Sequence, residues 1–150
     1  MVLSRSIIPY QNHHHDRLAE IWLRAVRETH TFLTEEDIFF YYDIVRGGVL
    51  NEVEIWVGLD EREQPVGFIG LDGLHIEMLF IDPSYHNKGW GTRLIRHVEN
   101  LKGSRLTVDV NEQNPGACTF YKRYGFVQIG RSERDGSDRP FPLLHMELRR

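Results

Sequence analysis

From Val53 to Leu59 the apolar residues fall at every second position, Val53, Ile55, Val57 and Leu59, with Glu54, Trp56 and Gly58 between them. A repeat of two belongs to an extended strand with one buried face, and a helix cannot carry it. Polar turn residues from Asp60 to Pro65 lead into a second apolar run, Val66 to Leu71, and Asp72-Gly73 then leads into a third, Leu74 to Ile81. Asp-Gly between two such runs is a strong signal for a two-residue hairpin, so three antiparallel strands in a meander are expected.

Helical repeats flank this meander. Leu18, Ile21, Trp22, Ala25 and Val26 recur at spacings of three and four between Asp16 and Thr29, after a short strand at Arg5 to Ile8. Thr34 to Arg46 opens on an N-cap residue with acids in its first turn and closes at Gly47-Gly48, as a second helix would. After Asp82-Pro83, which stops the third strand, Trp90, Leu94, Ile95, Val98 and Leu101 form another helical face. Leu106, Val108 and Val110 alternate as a strand, and Ala117, Phe120, Tyr121 and Tyr124 return to helical spacing ahead of a capping Gly125. Phe126 to Ser132 and Leu143 to Leu148 close the order as strands, joined by the polar loop Glu133 to Arg139. This order calls for an α/β chain with a mixed sheet covered by helices, and its 150 residues suit a single domain over 1–150.

Composition narrows the function. With 18 Lys plus Arg against 22 Asp plus Glu, the net charge of −4 turns the molecule as a whole away from polyanions, so no nucleic-acid partner is expected. Apolar stretches such as Met78 to Ile81 are four residues long, against roughly 20 for a spanning helix, so no membrane partner is expected either. Met1 to Tyr10 lacks the apolar core of a secretory signal, and a lone Cys118 forms no internal disulfide, which together point to a reducing cytoplasm. Cys118 has no base at a recognisable spacing and reads as a small core residue. The run His13-His14-His15 reads as a solvated helix start, because consecutive helical side chains diverge and no carboxylate completes a metal site.

The stretch from Phe80 to Thr92 carries the chemistry: a strand feeds Pro83-Ser84-Tyr85-His86-Asn87-Lys88-Gly89-Trp90-Gly91, which opens directly into a helix. Free amides of a first helical turn and the positive end of its dipole make such a junction an anion site, and glycine lets a phosphate approach the backbone. A turn shaped by Gly89 and Gly91 alone is the bland alternative. The P-loop pattern is absent, and a dinucleotide fingerprint fails at Leu94, where it needs a third glycine.

Read together with Asn114-Pro115-Gly116-Ala117-Cys118-Thr119-Phe120-Tyr121-Lys122-Arg123-Tyr124-Gly125-Phe126, this loop resembles the GNAT superfamily of N-acetyltransferases. Gly89 and Gly91 match that family's Q/R-x-x-G-x-G/A signature, with His86 where Gln or Arg is usual. The second cluster is similar to its N-x-x-A-x-x-F-Y-x-x-x-G-F motif at every defined position. Gln64 to Phe68, Val110 to Asn114 and Pro142 to Leu144 resemble its YjaB-type bacterial branch.

The resemblance implies the GNAT fold, a mixed and mostly antiparallel sheet of six to seven strands flanked by about four helices. It implies an acetyl-CoA-dependent N-acetyltransferase in which a primary amine attacks directly in a ternary complex, with no metal, the alternative being a CoA-binding or sensory module without turnover. It also implies a monomer or homodimer. The pyrophosphate would lie on the amides of Asn87, Lys88, Gly89, Trp90, Gly91 and Thr92 beside His86, and the pantetheine would pair with the strand edge at Leu79 and Ile81. Tyr121 matches the family's proton donor to sulfur, and a phenol near pKa 10 stays protonated at neutral pH; a core tyrosine on the helix stripe is the plainer reading. Asn114 matches a polar CoA contact and serves equally as an N-cap.

No matched motif names the base. Glu77 is the first choice, since regular alternation would put it on the face of Leu79; His75 shares that face, and Asp109 and Glu112 are further carboxylates near the cleft mouth. For each, a solvated strand residue is the plainer reading. His30, Phe32 and Trp56 are acceptor-side candidates, against ordinary packing. The loops Thr29 to Gly48 and Glu133 to Arg139, which would choose the acceptor, carry no readable code.

Overall fold

The computed structural model describes residues 6–150. Its elements run β1 (Ser6–Pro9), α1 (His15–Thr29), α2 (Glu35–Gly47), β2 (Glu54–Leu59), β3 (Pro65–Asp72), β4 (His75–Ile81), α3 (Trp90–Lys102), β5 (Thr107–Asn111), α4 (Pro115–Tyr124), β6 (Phe126–Ser132) and β7 (Leu143–Leu148). The strand expected at Arg5 to Ile8 is β1, and Arg5 lies outside the described residues.

Among the described residues the strands form one sheet of seven, ordered β1-β2-β3-β4-β5-β7-β6. Every neighbouring pair is antiparallel except β4 and β5. The meander is therefore as expected, with one shift: Asp72 pairs with His75, so the two-residue turn is Gly73-Leu74. Gly73 takes φ +60°, the positive first turn position of a type II′ hairpin.

Helices cover the two faces with separate cores. On one face α1 and α2 bury Leu18, Ile21, Val26 and Ile38 against Ile55, Val57 and Phe68. On the other, α3 and α4 bury Leu94, Ile95, Val98 and Tyr121 against Ile69, Ile76, Val108 and Met146. Caps fix where the helices begin: Thr34 accepts from the Asp37 amide while Asp37 answers the Thr34 amide, and Asn114 accepts from the Ala117 amide.

His14 departs from the reading of a solvated histidine run. It is 4% exposed, its Nδ1 accepts from the Gln11 amide at 3.0 Å, and burial lowers its pKa. The helix start turns inward there instead of facing water on all three positions.

Two features of β4 build a site. First, β4 pairs with β5 only at His75 with Thr107 and at Ile76 with Val108, so the strands part beyond these rungs. Second, β3 residues Gly70 and Leu71 face Met78 and Ile76, leaving Glu77 as the extra residue of a β-bulge. The bulge resets the alternation. Ile76 and Leu79, three residues apart, both enter the α3/α4 core, while Met78 and Phe80 pack against the α1/α2 core.

Candidate active site

Where β4 and β5 part, a cavity of about 720 Å³ opens, floored by both strands and closed by the start of α3 and by α4. The unpaired backbone of β4 beyond Ile76 presents a strand edge to it. At its far end the loop into α3 turns through left-handed backbone at Asn87 (φ +62°) and Gly89 (φ +85°). Gly89 caps α3 with no side chain on the first-turn amides, and no amide from Asn87 to Gly89 donates to a described residue. A run of free N–H donors at a helix N-terminus suits a diphosphate.

The two glycines serve different ends. Gly89 supplies its positive φ and has open space where a Cβ would stand. At Gly91 a Cβ would lie 3.0 Å from Phe120 Cζ, so that glycine lets α4 close on α3. Trp90 is buried at 4% exposure, with its ring where a Cβ on Gly58 would sit, and so anchors the loop by its side chain.

His86 is held by its own strand. Its Nε2 lies 2.9 Å from the Ile81 carbonyl, which can only accept, so Nε2 carries the proton and Nδ1 is the free nitrogen. The loop is tied to α1 by Asp82, which is 2% exposed, receives Arg17 at 2.7 Å and Arg24 at 3.2 Å, and caps Ser84.

Tyr121 is buried on the cavity wall between the rings of Phe120 and Phe126. Burial pushes its phenol well above 10, and its hydroxyl makes no hydrogen bond to a described residue. Asn114, at 8% exposure, lines the same wall while capping α4.

A second cavity of about 280 Å³ adjoins the first. Its walls are aromatic, with Trp22, Phe32, Tyr41, Phe80 and Phe141, and carry the carboxylates of Glu77, Asp109 and Asp135. Glu77, His30, Phe80 and Asp109 border both cavities. Burial pushes His30 down to about 4, so its ring is neutral at pH 7. The Thr29 hydroxyl donates to the Ala25 carbonyl at 2.8 Å and therefore accepts from His30 Nδ1 at 2.8 Å, leaving a lone pair on Nε2.

Of the residues singled out from the sequence, Tyr121, Glu77, Leu79, Ile81, His86, Asn87, Gly89, Trp90, Gly91, Thr92 and Asn114 line the larger cavity. Phe32 and His75 line the smaller one, and His30 both. Three lie elsewhere: Lys88 sits over the Tyr85 ring, Trp56 packs on His97 at 4.5 Å between centroids, and Glu112 holds Arg131 at 2.7 and 3.0 Å. Tyr41, Asp135 and Phe141 went unread. Asp135, from the β6–β7 loop, accepts from the Tyr41 hydroxyl of α2, a contact between distant segments that leaves no local pattern.

A family profile described as an acetyltransferase (GNAT) domain matches residues 39–150. The peptidyl-lysine N-acetyltransferase YjaB of Escherichia coli is 44% identical over 131 residues, covering 87% of this chain and 88% of its own length. The solution structure of apo YjaB from E. coli superposes with a TM-score of 0.88 at 42% identity, over 98% of this chain and 97% of that one. The fold is also that of the PaiA N-acetyltransferase of Thermoplasma acidophilum, solved with coenzyme A, with a TM-score of 0.81 at 20% identity over 99% and 100% of the chains.

Proposed function

The chain belongs to the GNAT family of acetyltransferases, with acetyl-CoA as cosubstrate, and we propose that its acceptor is the side-chain amine of a lysine in a peptide or protein. One observation carries this reading: Glu77, raised in the β4 bulge, stands on the border between the cleft and a cavity walled by aromatic rings and carboxylates. An alkylammonium suits that second cavity, its stem against the rings and its charge among Glu77, Asp109 and Asp135. The naming of YjaB as a peptidyl-lysine acetyltransferase supports the same acceptor.

Acetyl-CoA supplies the thioester whose acetyl group moves. The amides from Asn87 to Thr92 bind the diphosphate, and the open edge of β4 at Leu79 and Ile81 pairs with the pantetheine arm. His86 contributes by fixing the end of β4 through Ile81, and Asn114 lines the cleft while its side-chain oxygen caps α4. Glu77 takes the proton from the attacking amine, and His30 Nε2 accepts a hydrogen bond from the same nitrogen. Tyr121 holds a proton for the departing sulfur. A lysine amine starts near pKa 10.4, so desolvation in the aromatic cavity must lower it before attack.

The same reading places the protein in a reducing cytoplasm, as a monomer or homodimer, with its net charge of −4 turning it from nucleic acid. The described residues contain no helix long and apolar enough to cross a membrane. The test is a panel of lysine peptides, their Nε-blocked counterparts, α-amines and polyamines, followed by free-thiol release from acetyl-CoA and by mass. Turnover on unblocked lysine peptides alone is expected, with Glu77→Gln slowing it most at low pH. Turnover confined to polyamines or α-amines would refute the lysine assignment.

A further inference from the structure

On the sheet face opposite α3 and α4, four strands bring together a set of side chains, of which Asp109 and His75 also line the acceptor cavity while Ser132 and His145 do not. Ser132 Oγ of β6 lies 2.6 Å from His145 Nε2 of β7, and His145 Nδ1 lies 2.6 Å from Asp109 Oδ1 of β5. The second oxygen of Asp109 is 3.4 Å from His75 Nε2 of β4, and His75 Nδ1 is 2.7 Å from Thr107 Oγ1. The proton order follows from the carboxylate, which can only accept. His145 must donate from Nδ1, so its Nε2 bears the lone pair and accepts from the Ser132 hydroxyl.

A β-bulge makes this arrangement possible. Gln128 faces Met146 but Gly130 faces His145, leaving Ile129 as the extra residue in β6. Had the register of Gln128 with Met146 run on unbroken, Ile129 would stand opposite His145 and Gly130 opposite Leu144, and Ser132 would point to the α3/α4 face, away from His145. Ser132 is part exposed and the His145 side chain is 33% exposed, and neither lines the two cavities.

A serine within reach of an imidazole that a carboxylate orients is the general arrangement of an activated nucleophile, recognised by geometry and not by chain order. We propose that Ser132, His145 and Asp109 form a second reactive centre that accepts short acyl groups from activated esters and hydrolyses them. Ser132 Oγ forms a bond to the acyl carbon as its proton passes to His145 Nε2, and the bond to the leaving group breaks. Asp109 faces the imidazolium so formed. Water then attacks the acyl-serine, His145 takes one of its protons, and the carboxylic acid leaves with Ser132 restored, so that one ester and one water give one acid and one alcohol. Among the described residues no oxyanion donor is assigned to this centre, so it is expected to act on esters with good leaving groups, such as aryl acetates.

The test uses the full chain with a fluorophosphonate probe and with p-nitrophenyl acetate. The probe is expected to attach once, at Ser132 by peptide mapping, with Ser132→Ala abolishing attachment. His145→Gln should slow both labelling and ester hydrolysis by about 10²- to 10⁴-fold, the usual contribution of a positioned base. Acetyl transfer to amines should be unchanged in Ser132→Ala, which shows that the variant is folded and separates this centre from the acetyltransferase site. Absence of labelling in the parent chain, or a label that maps to another residue, would overturn the proposal even with amine acetylation intact.

Discussion

Replacing Tyr121 by Phe removes one oxygen from a site where it makes no hydrogen bond to a described residue, so no partner is left orphaned. The ring keeps its neighbours, Phe120 at 5.2 Å and Phe126 at 5.3 Å between centroids. The hydroxyl borders an open cavity and is not sealed from water, so its removal should change stability by no more than about 1 kcal/mol. The variant should therefore stay within ~2–4 °C of the parent in Tm for a chain of this size. Catalysis should respond far more strongly. A positioned proton donor contributes about 10²- to 10⁴-fold, so kcat should fall by that factor while calorimetry with CoA reports an unchanged Kd. The split between the two readouts carries the test, since a tyrosine that merely fills the core would leave kcat as unmoved as the stability. A kcat within about threefold of the parent, under ~1 kcal/mol of barrier, would refute the role assigned to this hydroxyl.

Gly58→Ala tests the anchoring of the cofactor loop from a distance. The new Cβ would stand 2.7 and 2.9 Å from the buried Trp90 ring, an overpacking cost of about 1–3 kcal/mol. Because Trp90 begins α3, urea denaturation should show lost stability and calorimetry a weakened CoA affinity, whereas Gly47→Ala, with open space around it, should leave affinity alone. Glu99 gives a pH prediction: Arg150 at 2.9 and 3.0 Å, then Tyr124 at 2.6 Å and Ser104 at 2.7 Å, hold its carboxyl down to about 2 from an ordinary 4.5. A depressed carboxyl stabilises the fold above pH 4.5 and loses that contribution as pH falls toward 2. The gap in urea midpoint between parent and Glu99→Gln should thus be present at pH 7 and close at pH 2 to 3; an equal gap at both would count against the assignment.

The regular parts of this fold were legible because each is written as a period. Alternation in Val53 to Leu59, helical spacing in α1 and α3, the capping residues Thr34 and Asn114 and the closing Gly125 all act locally, and the elements lie where these signals put them. The loop at Gly89 was legible for the same reason, as a strand, a glycine and a helix start in sequence. The insertion of β7 between β5 and β6 was not, since strand order depends on which edges meet after the chain has left the segment.

The bulge in β4 escaped for a different reason. A strand packed against helices on both faces loses its alternation: Met78, Leu79, Phe80 and Ile81 are apolar whichever way they point, so their sequence cannot report a change of phase. What β4 does carry is one acid, Glu77, set between apolar residues in a strand that helices cover on both faces. A carboxylate there is tolerable only if the backbone turns it out of the ladder toward open space, and the bulge does this at the junction of the two cavities. A charge inside an otherwise unbroken apolar strand is therefore itself the sign of an irregularity. The residue that breaks the pattern is the one whose position a mechanism here depends on.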